Sequence, residues 1–233
     1  MDKCCYLQIG YHNFVLAYAL GNEILPPCQS IHDLGITIHS TLKPSLHCSL
    51  MAAKANARSR LILKAFLSHD PFILARAFMT YVRPLLEYCS PVWSPCLKKD
   101  IDVIENVQRA FTRKLFIYCR LPPACYEDRL AYLGLQRLEL RRIYADLTVM
   151  FKITHGMIAS ALTSILRYAL NKNTRGHRYK LFINRCNKLV FKNFFINRVA
   201  PLWNFLPNNY FRNDTLYSFK SSIHTVNFDD YLK

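Results

Sequence analysis

DIDVIENVQRAFTRKLFIY, Asp100–Tyr118, decides the architecture of this chain. Ile101, Ile104, Val107 or Gln108, Phe111, Leu115 and Tyr118 recur at steps of three and four, which puts them on one face of an α-helix. Asp100, Asp102 and Glu105 stand near its start and Arg113 and Lys114 toward its end, so the charges oppose the helix dipole. Glu105 and Arg109 are one turn apart and are expected to pair.

The same period holds on both sides of this stretch. Upstream, LMAAKANARSRLILKAF (Leu50–Phe66) is made of good helix formers. Asp70-Pro71 is a start signal, with Asp as N-cap and Pro in the first helical position. The helix it opens places Leu74, Phe78, Tyr81, Leu85 and Tyr88 on one face, with Pro84 expected to kink or end it. SPVWSP (Ser90–Pro95) reads as an ordered turn. Downstream, Tyr126–Leu133 is a short helix stopped by Gly134. Leu138–His155 is a long one, with Leu140, Tyr144, Leu147, Met150 and Phe151 inward and Gly156 as its stop. FFINRVAPLWNFLP (Phe194–Pro207) and Leu216–Ile223 each supply another helix, and Trp93 and Trp203 are expected to anchor the core.

The front of the chain has a different period. CYLQIG, FVLAYAL and LGITIH are short apolar runs separated by turn-forming YHN, GNE and PP, so residues 1–40 are expected to form strands, two of them joined through Gly21-Asn22. The expected fold class is α+β and mainly α: a small N-terminal antiparallel β-meander (residues 1–44), a helical bundle (45–156), and an irregular, helix-containing C-terminal segment (157–233).

Composition narrows the chemistry. Lys and Arg total 31 against 15 acids, a net charge of +16, which favours a polyanionic partner. With only six glycines and no GxGxxG, GxxxxGK or GxSxG, the chain offers no phosphate-cradling loop and no nucleophile elbow. Nine cysteines, an odd count without a CxxC pair, point to reduced thiols rather than a disulfide framework or a zinc site. No apolar run approaches the ~20 residues that span a bilayer, and no signal peptide is legible in MDKCCYLQIG. The expected setting is therefore intracellular, nuclear or cytoplasmic, with no membrane and no small-molecule substrate.

A series of words runs through the chain in a fixed order: KC at Lys3-Cys4 with Gly10, SIHDLGITI (Ser30–Ile38), YVRPLLEYCSPVWSP (Tyr81–Pro95), DIDVIENVQRAFTRKL (Asp100–Leu115), YEDRLAYLGLQRLELRR (Tyr126–Arg142), ADLTVMFKITHG (Ala145–Gly156), TRGH (Thr174–His177), and WNFLP (Trp203–Pro207) followed by SFK (Ser218–Lys220). In these words, which cover most of its length, the chain resembles the C-terminal part of the reverse transcriptases of non-LTR retrotransposons, transposable elements of the LINE group that includes jockey. The resemblance implies the end of the palm over residues 1–44, a helical thumb over 45–156 and the segment beyond it over 157–233. It also implies RNA-directed DNA polymerase (nucleotidyltransferase) activity in the intact parent. There, two Mg²⁺ ions held by palm aspartates activate the primer hydroxyl and steady the leaving pyrophosphate. Those aspartates precede the equivalent of Lys3, the palm-motif lysine, so the resemblance leaves this chain without catalytic residues, without a metal site and without a cofactor of its own. Its upstream palm and fingers would be partners. Asp229-Asp230 does not replace the missing pair: Asn227, not an aromatic, stands two residues before it, and the pair reads as an acidic tail.

What survives is cationic. Lys54 and Arg58 project together from the Leu50–Phe66 helix, with Arg60 and Lys64 beside them, and no acid occurs between Leu50 and His69. Arg113 and Lys114 have no obvious partner. Arg175, His177, Arg178 and Lys180 cluster around Tyr179, and cations interleaved with an aromatic suit single-stranded nucleic acid. Arg141-Arg142, after Glu139, reads as a salt-bridged surface, and His32-Asp33 as a turn rather than a metal pair. The functional expectation is a fragment that binds RNA or an RNA–DNA duplex through its basic surface and is inactive alone. Two alternatives stand beside it: a helical module that binds protein or nucleic acid with no enzymatic role, and a decayed fragment without function.

Overall fold

In the computed structural model, which describes residues 4–10, 17–159, 161–169, 177–211 and 215–232, helix dominates and strands are few and short. The strands are β1 (Tyr6–Leu7), β2 (Ala19–Leu20), β3 (Glu23–Ile24), β4 (Pro27–Cys28), β5 (Ser30–Asp33) and β6 (Ile36–His39). They form three separate two-stranded pairs. Two are antiparallel hairpins, β2–β3 around Gly21-Asn22 and β5–β6 around Leu34-Gly35, while β1 lies parallel to β4. A continuous meander needs ladder donors on both strand edges, and Pro26 and Pro27 remove two of them beside β4. Residues 14–16 of the expected second strand lie outside the described residues.

The helices among the described residues are α1 (Ser45–Ala65), α2 (Pro71–Tyr81), α3 (Arg83–Glu87), α4 (Ser90–Trp93), α5 (Lys98–Tyr118), α6 (Tyr126–Leu133), α7 (Leu138–Thr154), α8 (Leu162–Ile165), α9 (Leu189–Lys192), α10 (Phe195–Phe205) and α11 (Leu216–Ile223). Helices α1 and α5 have 21 residues each and pack side by side. Ser45 Oγ donates to Asp100 Oδ2 at 2.6 Å near their starts, and the Tyr118 hydroxyl donates to the Phe66 carbonyl at 3.2 Å near their ends. The two helices are therefore parallel and almost in step.

A first core gathers around them, with Leu74, Phe78 and Val82 from α2 and the residue after it, and Ile104, Phe111 and Leu115 from α5. Phe78 stacks on Phe111 at 4.4 Å between ring centroids. A second core gathers around Phe151 of α7, Trp203 of α10 and Phe219 of α11. Helix α7 joins the two: Leu138 belongs to the first core, and the residues from Ile143 to Ile153 to the second.

The stripe expected on α2 is cut short. Leu74 and Phe78 are fully buried, but Tyr81 and Tyr88 are exposed. Pro84 has no N–H to give to Thr80 and its ring crowds that carbonyl, so the helix breaks at Val82 and the phase is lost. Val82 turns inward instead. SPVWSP contains one helical turn, α4, entered through Cys89 at φ +52°. Freed from the stripe, Tyr88 closes over the β5–β6 turn, where its hydroxyl donates to the Leu34 carbonyl at 3.2 Å. Gly35 there has φ +85°, and a Cβ would meet the Tyr88 ring at 3.2 Å. The DLGITI and LEYCSP words thus touch in space.

Three helices end in the same hydrogen-bonded motif. Leu135 N donates to the Leu130 carbonyl after α6, Met157 N to Lys152 after α7, and Leu121 N to Phe116 after α5. The left-handed position is Gly134 and Gly156 in the first two, but Arg120 (φ +55°) in the third. Arg120→Gly will therefore stabilise the fold by about 1 kcal/mol by removing the steric cost of a side chain in that conformation. A rise in thermal midpoint of a few degrees checks it, and an unchanged or lower midpoint would contradict it.

Candidate nucleic-acid interface

The inward side of α1 is made by Cys48, Met51, Ala52, Ala55, Ser59 and Ile62, which leaves Lys54, Arg58, Arg60 and Lys64 exposed. At 100° per residue they divide into two pairs, Lys54 with Arg58 and Arg60 with Lys64, on either side of a strip formed by Ala57 and Leu61. On α5, Arg113 and Lys114 are exposed as well, and the parallel register sets them at the height of Arg60 on α1. None of these six cations is paired with a carboxylate among the described residues. Arg58 alone makes a polar contact, from Nη1 to the Tyr81 carbonyl at 3.4 Å.

The acids that could have neutralised this surface are engaged inside the protein. Asp100, Glu105, Glu139 and Asp146 are buried, against two buried arginines, Arg129 and Arg142. Glu105 does not pair with Arg109. Its carboxylate reaches across to the start of α7, where it accepts from Leu138 N (3.0 Å) and Glu139 N (3.3 Å), and from the Tyr126 hydroxyl at 2.5 Å. Arg109 bonds Asn106 Oδ1 and lies over the Tyr126 ring. Burial and the adjacent Glu105 push the Tyr126 phenol well above its ordinary range, so it stays a donor. Glu87 is forked by Arg141 of α7. Asp146 is forked by Arg198 of α10 at 3.0 and 2.9 Å, and the same guanidinium donates to the Pro91 carbonyl at 2.7 Å, tying α4, α7 and α10. Asp70 caps α2, accepting from Phe72 N and Ile73 N.

Arg141-Arg142 is therefore not a surface pair. Arg142 is buried, and neither of its Nη atoms has a hydrogen-bond partner among the described residues. Burial pushes its guanidinium below its usual range, while Glu105, Glu139 and Asp146 hold it up.

The C-terminal cluster divides. Lys3 and Arg175 lie outside the described residues. His177 is not a surface group: it is buried, stacks on Phe211 at 4.0 Å, and its Nε2 lies 2.9 Å from the Trp203 carbonyl. Arg178 is exposed and rests over the Tyr179 ring at 4.8 Å. The Tyr179 ring also meets His155 at 4.4 Å, and its carbonyl accepts from Trp203 Nε1, so it is no open stacking platform. Lys180 is half-buried and its carbonyl accepts from Ala169 N. Asn204 clasps the backbone of Leu181 in both directions, at 2.8 and 2.7 Å. Residues 177–181 are thus sewn onto α10, and Trp203 and Trp93 are both core anchors as the sequence implies. Periodicity carries no sign of this, because the partners lie more than 20 residues away.

Two buried histidines make the fold sensitive to acid. His47 Nδ1 accepts from Thr37 N at 3.2 Å, and His177 Nδ1 is buried with no partner among the described residues, so neither can take a second proton there without leaving an uncompensated donor. Burial lowers both from the ordinary histidine value, assisted by His32 and Lys54 at His47 and by Lys180 at His177, where the Trp203 carbonyl opposes the shift. Their contribution is complete above the unfolded value of 6.5 and is lost as pH falls below it toward the folded values. Thermal midpoints will drop between about pH 7 and pH 5, and a His47→Gln, His177→Gln double variant will lose most of that slope. An equally steep decline in the double variant would exclude these two rings as its source.

Among the described residues no group of His, Cys, Asp or Glu is arranged to hold a metal ion, and Asp229-Asp230 lies exposed in a short 3-10 turn beside the buried Phe228. No helix among them is long and apolar enough to cross a membrane. The chain is similar to an uncharacterized Caenorhabditis elegans protein, with 25% identity over 128 residues, 55% of this chain and 65% of that protein, so it spans less than two thirds of that relative. No family model matches the chain, and no solved structure matches it.

Proposed function

We propose that this chain is the C-terminal, non-catalytic part of a LINE-type reverse transcriptase and that, by itself, it binds RNA or an RNA–DNA duplex through the cations of α1 and α5. The observation that carries the reading is the division of charge: Lys54, Arg58, Arg60, Lys64, Arg113 and Lys114 are exposed with no carboxylate partner among the described residues, while Asp100, Glu105 and Asp146 serve internal ties. An exterior more positive than the chain as a whole attracts phosphate without regard to sequence. On the two parallel helices that charge runs from Lys54 to Lys64 of α1, about 15 Å, with Arg113 and Lys114 of α5 level with Arg60, so it covers roughly half a duplex turn. Nucleotide addition requires metal-binding aspartates from the upstream palm, so the fragment alone incorporates no deoxynucleotides.

A salt titration tests the binding. With six phosphate contacts, the logarithm of the affinity for a labelled RNA–DNA duplex will fall linearly against the logarithm of salt with a slope of about −5. No binding at low salt, or affinity unchanged between ~50 and 200 mM, would rule out a phosphate-tracking surface. Capture of an acidic protein that persists after nuclease treatment would favour the interaction-module alternative.

A further inference from the structure

We propose that the groove between the end of α1 and the outer face of α2 seats unstacked bases of single-stranded nucleic acid, a subsite that rests on the nucleic-acid reading above. The groove has a volume of about 420 Å³. Phe66 forms one wall, and Phe72, Ile73, Arg76, Thr80 and Tyr81 of α2 form the other. Phe72, Arg76 and Thr80 follow one another at steps of four along one row of α2, and Ile73 and Tyr81 lie on the neighbouring row. Phe72 and Tyr81, near the two ends of α2 and on different sides of it, are each 55% exposed. Phe72 is held in place by stacking on Tyr132, with centroids 5.5 Å apart. Tyr81 stacks on no other ring among the described residues.

Charge selects the occupant. Arg76 is exposed in the groove wall, and Arg58 reaches the Tyr81 carbonyl at its end. No acidic side chain is among the lining residues. An apolar helix from another protein would cover Phe72 and Tyr81 but leave Arg76 and Arg58 facing hydrocarbon. A nucleic-acid duplex would satisfy the arginines but keeps its base faces stacked inside. A single strand supplies both planar rings for the aromatics and phosphates for the cations. Arg76 extends the basic surface beyond the cations that the sequence identifies, and it connects that surface to an open aromatic, the role that Tyr179 is too enclosed to fill.

The test uses the full chain and two fluorescein-labelled oligonucleotides of equal phosphate charge, a twelve-nucleotide oligouridine and its fully abasic counterpart. Anisotropy at low salt will show the oligouridine binding at least about five-fold tighter. Tyr81→Ala, verified as folded by its melt, will abolish that preference while leaving abasic affinity unchanged. Equal affinity of the unmodified chain for the two oligonucleotides would overturn the base seat and leave phosphate tracking intact, whereas no binding of either would overturn both. A preference that survives in Tyr81→Ala also overturns the seat, as does a dimer in light scattering that this variant dissolves without changing RNA affinity. Photocrosslinking of a 4-thiouridine oligonucleotide to the unmodified chain avoids any folding defect: adducts are expected within residues 66–81, and adducts confined elsewhere refute the assignment.

Discussion

Glu105→Ala will destabilise the protein by about 3–5 kcal/mol, the largest single-residue effect expected in the chain. Three consequences add. The first N–H groups of α7, Leu138 and Glu139, lose their acceptor, and no side chain at the N-cap replaces it. The Tyr126 hydroxyl loses the carboxylate it donates to and keeps only its contact with Gln108 Nε2. Arg142, already buried with both Nη atoms unbonded among the described residues, loses the strongest of the charges that hold it up. Because α7 carries residues of both cores, the loss will reach both. Glu105→Gln will be milder, since an amide oxygen can still accept from the α7 backbone. Urea denaturation followed by circular dichroism measures the difference, and a cost of less than about 1 kcal/mol for the alanine variant would show that the carboxylate does not anchor α7.

The helix that carries Glu105 is legible in the sequence, and its most consequential contact is not. Apolar faces at helical spacing locate α5 and α7 within a residue or two, because burial of one face repeats with the turn of the helix. Asp70-Pro71 and Gly134 mark boundaries because their chemistry is local, a side-chain cap in one case and a left-handed backbone in the other. Glu105, by contrast, stands one turn before a plausible partner, Arg109, and takes a different one 33 residues on. The strands at the front and the hairpin at Gly21-Asn22 are legible, but their division into three separate pairs is not, because two-residue strands carry no alternation to read and Pro26 and Pro27 interrupt the ladder. Tyr81 and Tyr88 mislead because a stripe can be extrapolated through Pro84 on paper but not in space.

The site divides along the same line. Lys54, Arg58, Arg60, Lys64, Arg113 and Lys114 stand out in sequence because long cationic side chains on a helix whose opposite face is apolar have nowhere to go but solvent. His177 cannot be separated from its basic neighbours by composition; only the fold reveals that it seals the second core against Phe211 and Trp203. Arg76 is overlooked for the opposite reason, since it lies on a helix whose pattern is read for its apolar residues.

The second large effect follows from the height match between α1 and α5. Reversing Arg60, Lys64, Arg113 and Lys114 to glutamate together will weaken binding of an RNA–DNA duplex by roughly 10²-fold at low salt and make the salt slope shallower by about 3–4. None of the four takes part in a hydrogen bond or ion pair within the described residues, so the thermal midpoint will move little. The magnitude depends on all four meeting one ligand. If cations on the two helices served separate partners, reversing only the α1 pair would leave duplex affinity almost unchanged and reversing only the α5 pair would account for the whole loss, or the converse. Contributions from a shared phosphate path instead divide between the pairs, each lowering the slope by about 2. Lys54→Glu with Arg58→Glu removes the remaining two of the six contacts and will lower the slope by about 2 as well, whereas Arg185→Glu with Lys188→Glu, exposed cations outside both helices, supplies the internal comparison: an equal loss from that pair would mean that total charge rather than its placement governs the affinity.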